Sequence, residues 1–371
     1  MATLKEEFVL RALEPDANLS ALCREYGISR KTGYKWVARF KERGVEGLRD
    51  LSRRPHSSPL RTSGEVVLQV LELRRAHPRW GPKKLHAVLS RGLKDEEVPG
   101  RRTIARILER AGVVRTRKSR PSREGPTVPP EVVAEAPNDV WTVDFKGWWR
   151  TQDGTRAEPL TVRDGFSRYV LCAELMETTK AEVVRGVFQR LFERHGLPGT
   201  ILVDNGSPFV SMRSPAGLTT LSAWWVSLGI RIVRSRPGCP QDNGGHERMH
   251  LDLRFDVEDA PADDLDAQRV ALNKWRQEFN HVRPHEALDM KVPADIYRRS
   301  DRPFLGPKKP WYPPGAAVRR VNKKGCVKYA GRSLYVSMAL AGHSIAFLHN
   351  DAGDTEMFFY NLSLGQLAEA A

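Results

Sequence analysis

Along the first 55 residues, apolar positions recur at helical spacing: Leu19, Leu22 and Cys23, then Trp36, Val37 and Phe40. Gly27 lies between the two sets where a tight turn belongs, and Ser29 is placed to cap the second helix. This pattern predicts a helix-turn-helix over 1–55, with Arg30, Lys31, Tyr34 and Lys35 left on the outer face to meet DNA in the major groove. A plain two-helix hairpin is the bland alternative; the basic outer face favours DNA.

A second helical pattern fills 60–114. It breaks at His77-Pro78, restarts near Gly81-Pro82, buries Ile104, Ile107 and Leu108, and stops at Gly112, which predicts another DNA-binding helical domain. Residues 115–139 hold five prolines among 25 positions and no periodicity, the mark of a linker. From 140 to 300 the pattern becomes an α/β alternation: a strand at "DVWTVDFKGWW", a hairpin at "EPLTVRDGFSRYVLCAEL", an amphipathic helix at "KAEVVRGVFQRLFERHG" and a buried strand at "TILVD". A helix at "LTTLSAWWVSLG", a strand at "IRIVRS" and a helix from near Gly244 follow, so a mixed sheet flanked by helices is expected. Beyond Pro310 strands and turns alternate, predicting a small closed β-barrel over 311–365. The fold class expected is thus multidomain: all-α units, an α/β core and a small β-domain.

Charge sharpens this division. Residues 1–125 hold 29 Lys and Arg against 15 Asp and Glu, and residues 302–371 hold 9 against 4. The middle holds 22 against 26, so basic flanks surround a core that concentrates carboxylates, although the chain as a whole carries +15. No apolar run approaches bilayer length, and the charged N-terminus does not read as a signal peptide, which predicts a cytoplasmic protein without a membrane partner. Cys23, Cys172, Cys239 and Cys326 are too scattered for a disulfide framework or a zinc site.

Two acids end apolar runs. Asp144 lies in "WTVDFKG" and Asp204, 60 positions on, closes "TILVD"; singly, each could be a turn-forming Asp. Glu247 stands 43 positions further, sharing a helical face with His250, Leu251 and Arg254. Three converging carboxylates repel unless a divalent cation lies between them, and oxygen ligands favour Mg²⁺ or Mn²⁺. The same helix spells His-Glu-x-x-His as His246, Glu247 and His250, which leaves a zinc metalloprotease as another reading. Against it stand Gly244 and Gly245 at the helix start, Arg248 inside the motif, and the basic arms. Lys146, Arg248 and Arg254 are candidate phosphate contacts, Asn205 and Asn243 candidate positioning groups, and Arg283 and His285 structural residues of a Pro-broken turn.

With these acids in place, the blocks "WTVDFKG", "RDGFSRYV", "LVDNGSPF", "PQDNGGHERMH" and "FNHVRPHEALDMKVPADIY" resemble, in order, those of the DDE transposases of bacterial insertion sequences. Their core is shared with retroviral integrases and has a ribonuclease-H-like fold. The resemblance implies a catalytic and metal-binding triad of Asp144, Asp204 and Glu247 holding two Mg²⁺ or Mn²⁺ ions, with Asp144 bridging both. It further implies DNA cleavage and 3′-hydroxyl strand transfer at element ends, double-stranded DNA as partner, a dimer or larger assembly, and a bacterial, nucleoid-associated location. The stretch "SMRSPAGLTTLSAWW" makes the second acid spacing longer than is common in that family, and an integrase-type His/Cys zinc module is missing. A non-catalytic DNA-binding regulator derived from a transposase is the remaining alternative.

Overall fold

The computed structural model describes residues 4–50, 61–114, 132–236, 239, 242–349 and 354–367, in two compact units, 1–63 and 64–371. Most of the expected linker therefore lies outside the described residues. No helix among the described residues is long and apolar enough to cross a membrane.

In the first unit, helices α2 (Leu19–Glu25) and α3 (Arg30–Arg43) form the expected pair. Asn18 and Ser29 cap them through side-chain oxygens that accept from backbone N–H groups, and Gly27 turns the chain at a φ of +64°. A helix not anticipated from the spacing, α1 (Leu4–Ala12), supplies Phe8 and Val9 to the centre of this unit's core, beside Leu22, Cys23 and Leu48. Phe8 meets Tyr26 and Trp36 edge-on at 5.4 and 5.6 Å.

The second unit opens with α4 (Gly64–Ala76), α5 (Pro82–Gly92) and α6 (Arg101–Arg110). Ile104, Ile107 and Leu108 are buried among them with Trp80 and Leu85, as the periodicity predicts. These helices are tied to later parts of the chain: His77 to Glu278 at 3.1 Å, Lys83 to Glu286 at 3.1 Å, and Arg79 over the Phe255 ring at 3.1 Å.

The sheet comprises β1 (Val140–Phe145), β4 (Pro159–Asp164), β5 (Val170–Leu175), β6 (Thr200–Val203) and β7 (Arg231–Arg234), with a minor ribbon of β2 (Trp149–Arg150) and β3 (Arg156–Ala157) beside it. Strand order is β5-β4-β1-β6-β7; β4 is antiparallel to both β1 and β5, whereas β1, β6 and β7 run parallel. This is the mixed ribonuclease-H-like arrangement. Period-2 alternation decides what each face receives. Trp141, Val143, Leu160 and Val162 pack under α7 (Ala181–His195) and α8 (Thr220–Ser227). The intervening positions, including Thr142, Asp144, Thr161 and Arg163, belong to the other face, which α9 (Gly244–Leu253) and α10 (Leu265–His281) cover.

After the short α11 (Pro293–Ile296) come β8 (Ala317–Arg320), β9 (Cys326–Tyr329), β10 (Arg332–Tyr335), β11 (Ser344–His349), β12 (Thr355–Phe359) and β13 (Leu362–Gln366). The expected closed barrel is not what forms among the described residues. Instead a four-stranded antiparallel sheet, β13-β12-β11-β8, and a β9-β10 hairpin share one core, Tyr329 stacking on Phe347 at 4.0 Å, so side chains rather than a continuous hydrogen-bond ladder join them. Leu218 and Ala223 enter this core, and Ser214 Oγ lies 2.8 Å from Ser337 Oγ. The long stretch between Asp204 and α9 therefore serves as a docking edge for the β-domain.

Candidate active site

Asp144 is the fifth residue of β1, opposite Thr161 of β4; Asp204 directly follows β6, the parallel neighbour of β1. Glu247 stands on the first turn of α9 and faces solvent, as does Asp204, whereas Asp144 is half-buried. The Asp144 carboxyl is pushed up to about 6, first by burial, then by the charge of Asp204, with Glu247 adding in the same direction, against the lowering effects of the Phe145 N–H and of Lys146. The fold thus brings the three acids into electrostatic reach of one another. Among the described residues, however, no group of three or more His, Cys, Asp or Glu side chains is drawn together tightly enough to be a preformed metal site. The donor set nonetheless fits a hard divalent cation: three carboxylates, one raised first by burial and then by its neighbours' charge, a mismatch that a cation removes.

The histidines of the His-Glu-x-x-His motif do something else. His246 is fully buried, with Nδ1 2.7 Å from Thr142 Oγ1 and Nε2 2.7 Å from Thr161 Oγ1. His250 Nε2 lies 2.7 Å from the same Thr161 hydroxyl, which itself donates to the Asp144 carbonyl at 2.9 Å. The network closes when both rings carry their proton on Nε2: Thr161 accepts twice and donates once, and Thr142 donates to His246 Nδ1. Burial, then the neighbouring His250 and Arg163, holds His246 far below the ordinary imidazole range, and burial, then Lys146, lowers His250 to about 3. His250 is therefore neutral, and its 3.8 Å approach to Asp144 Oδ2 is not an ion pair. A zinc helix needs both imidazoles free toward one ion; here both point at one hydroxyl, so the metalloprotease reading is set aside.

The other polar groups near the acids are engaged as follows. Lys146, expected near phosphate, is bound to Glu258 at 2.6 Å. Asn205 is a turn former, its Nδ2 donating to the Ser235 carbonyl at 2.7 Å. Asn243 caps α9 without a side-chain bond, and its buried Oδ1 has no partner among the described residues. Arg283 is structural, 2.7 Å from both Asp252 and Asp256, although the Asp252 contact lacks hydrogen-bond direction. Arg248 and Arg254 remain exposed, each in a long contact with an acid of its own segment, 4.0 Å to Asp252 and 3.5 Å to Asp259. The face shared by Glu247, Leu251 and Arg254 is the outward one; Met249 and Leu253 turn inward with His246. Arg30, Lys31, Tyr34 and Lys35 are all exposed on α3. Thr142, Thr161 and Arg163 were not singled out by sequence reasoning, though polar residues alternating with apolar ones in "WTVDF" and "PLTVRD" are a legible sign of a polar inner face.

Comparison with known proteins agrees with this architecture. Models of the integrase core domain match residues 134–240 and 228–293, a helix-turn-helix domain matches 4–56, and a homeodomain-like domain matches 32–108. A 31.7 kDa protein of insertion element IS407 from Burkholderia multivorans is 26% identical over 234 residues, 62% of this chain and 80% of that protein. A 39.2 kDa protein of insertion element IS476 from Xanthomonas euvesicatoria is 28% identical over 243 residues, 64% of this chain and 66% of that protein. Among solved structures, the HTLV-2 integrase catalytic core is 19% identical with a TM-score of 0.34, covering 44% of this chain and 99% of its own. A chain of a simian T-cell lymphotropic virus intasome in complex with PP2A regulatory subunit B56 gamma is 18% identical with a TM-score of 0.37, covering 81% of this chain and 100% of its own. These two are too distant to carry residue roles across. The chain thus carries an integrase core domain across the sheet, α9 and α10 behind a helix-turn-helix domain, and it is similar to proteins of bacterial insertion elements.

Proposed function

We infer that this protein is a transposase that cuts DNA at the ends of its element and joins the freed 3′-hydroxyl to target DNA, with Asp144, Asp204 and Glu247 as catalytic residues. The observation that carries the reading is the raised Asp144 carboxyl, lifted by burial together with the charges of Asp204 and Glu247. Carboxylates within electrostatic reach of one another, one of them desolvated, are unfavourable when all are charged and favour divalent cations. Asp144, Asp204 and Glu247 would hold Mg²⁺ or Mn²⁺, as a pair of ions; such ions supply charge neutralisation at a phosphodiester and activation of an attacking hydroxyl.

The chain's own residues supply the frame. β1 and β6 run parallel and release Asp144 and Asp204 at the same edge of the sheet. Thr161 ties the Asp144 backbone to α9 through both histidines, while Arg283 and Lys146 clamp the far end of that helical segment through Asp252, Asp256 and Glu258. Glu247 is thereby presented from a braced helix rather than from a loop. Arg30, Lys31, Tyr34 and Lys35 would read or grip duplex DNA from α3, and Arg248 and Arg254 would contact phosphates near the acids. Joining two element ends calls for two such sites, hence a dimer or larger assembly.

The test is strand transfer by the full-length chain on a duplex carrying the element's ends, with and without Mg²⁺. Joined product from wild type and its loss by at least about 10³-fold in Asp204→Asn, with duplex binding retained, is expected. Absence of product from wild type under conditions where it binds DNA would instead support the non-catalytic regulator.

A further inference from the structure

Beside the candidate active site, at the start of α9, lies a cavity of about 270 Å³ whose chemistry no step above uses. Lys84 of α5, Arg163 of β4, Arg168 of the β4–β5 turn and Arg248 of α9 line it, together with His285. Arg163 is only 4% exposed, yet among the described residues its guanidinium has neither an ion pair nor a hydrogen bond. Lys84 and Arg168 likewise have no ion pair among the described residues, and the buried His285 Nε2 has no hydrogen-bond partner. The two acids on the wall are already engaged: Asp252 by Arg283 at 2.7 Å and Glu286 by Lys83 at 3.1 Å. The site is built rather than incidental. A Cβ on Gly245 would stand 2.5 Å from Arg163 Nη1, so the helix start is kept bare where the guanidinium passes beneath it. Arg168 holds a left-handed backbone, φ +65°, at the wall of the same cavity.

Buried cations are normally paired, because an unpaired one loses its hydration and gains nothing in return. One buried arginine, Arg163, and two half-buried cations, Lys84 and Arg168, around one cavity, with an orphaned imidazole nitrogen among them, describe a receptor for an oxyanion with several acceptor oxygens. We propose that this cavity binds a phosphate group, presented either by the backbone of bound DNA or as free phosphate, and that the α5 helix is locked to the core through it. Lys84 comes from the helical segment and Arg163 and Arg168 from the sheet, so one phosphate neutralises both sides of that junction. The lowered Lys84, about 8 from burial first and then from the Arg283 charge, agrees with an unfilled requirement for negative charge.

The DNA source rests on the function proposed above; the phosphate site does not, and the experiment separates them. Thermal melts of full-length wild type, Lys84→Gln, Arg168→Gln and the distant, exposed Lys328→Gln are compared with and without inorganic phosphate at fixed ionic strength. Without phosphate, Lys84→Gln and Arg168→Gln melt at or above wild type, since each removes like-charge repulsion. With phosphate, wild type and Lys328→Gln rise while the two cavity variants do not, their phosphate affinity falling by about tenfold or more. Equal response of all four proteins, no response from any, or cavity variants that melt lower in phosphate-free buffer would overturn the site. In a second arm the same proteins bind duplex DNA. A flatter salt dependence in the cavity variants, by about one unit of log–log slope, identifies a backbone phosphate as occupant; unchanged duplex binding with lost phosphate response identifies free phosphate. Neither arm requires strand transfer, so an inactive transposase would leave this result intact.

Discussion

At the residue scale, the most heavily used atom near the acids is the Thr161 hydroxyl, fully buried and shared by His246, His250 and the Asp144 carbonyl. Thr161→Val keeps the shape and strips the hydroxyl, leaving two imidazole N–H groups without partners. Each unsatisfied buried group costs about 1–3 kcal/mol, so the variant should lose on the order of 3 kcal/mol in urea unfolding. It should also loosen α9 over β1, so strand transfer should fall even under conditions where the variant is folded. A variant as stable as wild type would show that the two histidines are held by packing alone. The sequence pattern of His-Glu-x-x-His is the same whether the rings meet a metal or a threonine; only the register Asp144↔Thr161 across β1 and β4 places the hydroxyl between them.

At the scale of elements, the helix-turn-helix depends on a close crossing of α2 and α3. A Cβ on Gly33 would sit 2.5 Å from Cys23 Sγ and 3.0 Å from the Phe8 ring, both in the core. Gly33→Val should therefore force the helices apart at a cost of about 1–3 kcal/mol. Lower duplex affinity together with reduced helical content at moderate temperature would be the observable result; unaltered DNA binding would mean that α3 acts independently of its packing. Helix α1 was invisible to the spacing argument because its charged residues, Lys5, Glu6, Glu7 and Arg11, crowd the short segment, and only two of its side chains, Phe8 and Val9, are buried. By contrast α3, α6 and α7 were legible because caps, glycine stops and apolar stripes all agree within each one. The β-domain was legible as strands but not as two sheets, since local alternation does not say which strands pair.

Over the whole molecule, buried neutral histidines tie stability to pH. His195 is lowered to about 4 by burial first and then by Arg194, and His285 to about 3 by burial first and then by Lys84. An unfolded histidine titrates near 6.5, so below that pH the unfolded chain binds more protons than the folded one, and stability falls as pH falls toward 4. Each such histidine contributes about 1 kcal/mol of loss between pH 6 and 5. Asp144, raised to about 6, works in the opposite sense below that pH, because the folded chain then holds its proton more firmly than the unfolded one. The clean measurement is therefore a difference: His195→Gln should flatten the stability–pH slope between 6.5 and 5 by about one histidine's share. Parallel curves for variant and wild type would mean that His195 is charged in the fold. At this scale the charge partition also finds its use. Part of the excess on the basic flanks lies on α3, and part, as Lys84, at the wall of the phosphate cavity, which charge counting has no means of distinguishing.

The sequence by itself determined the succession of helices and strands, the strand-end positions of Asp144 and Asp204, the helical position of Glu247 and the outward basic face of α3, because caps, turns and periodicity act over a few residues. Tertiary structure decided the rest. It chose which face each acid shares, gave the histidines to Thr142 and Thr161 instead of to a metal, paired Lys146 and Arg283 with acids, and left Lys84, Arg163 and Arg168 without an ion partner among the described residues around one cavity. Those outcomes depend on contacts between residues tens to hundreds of positions apart, where burial and the pairing of charge, not local pattern, set the energy.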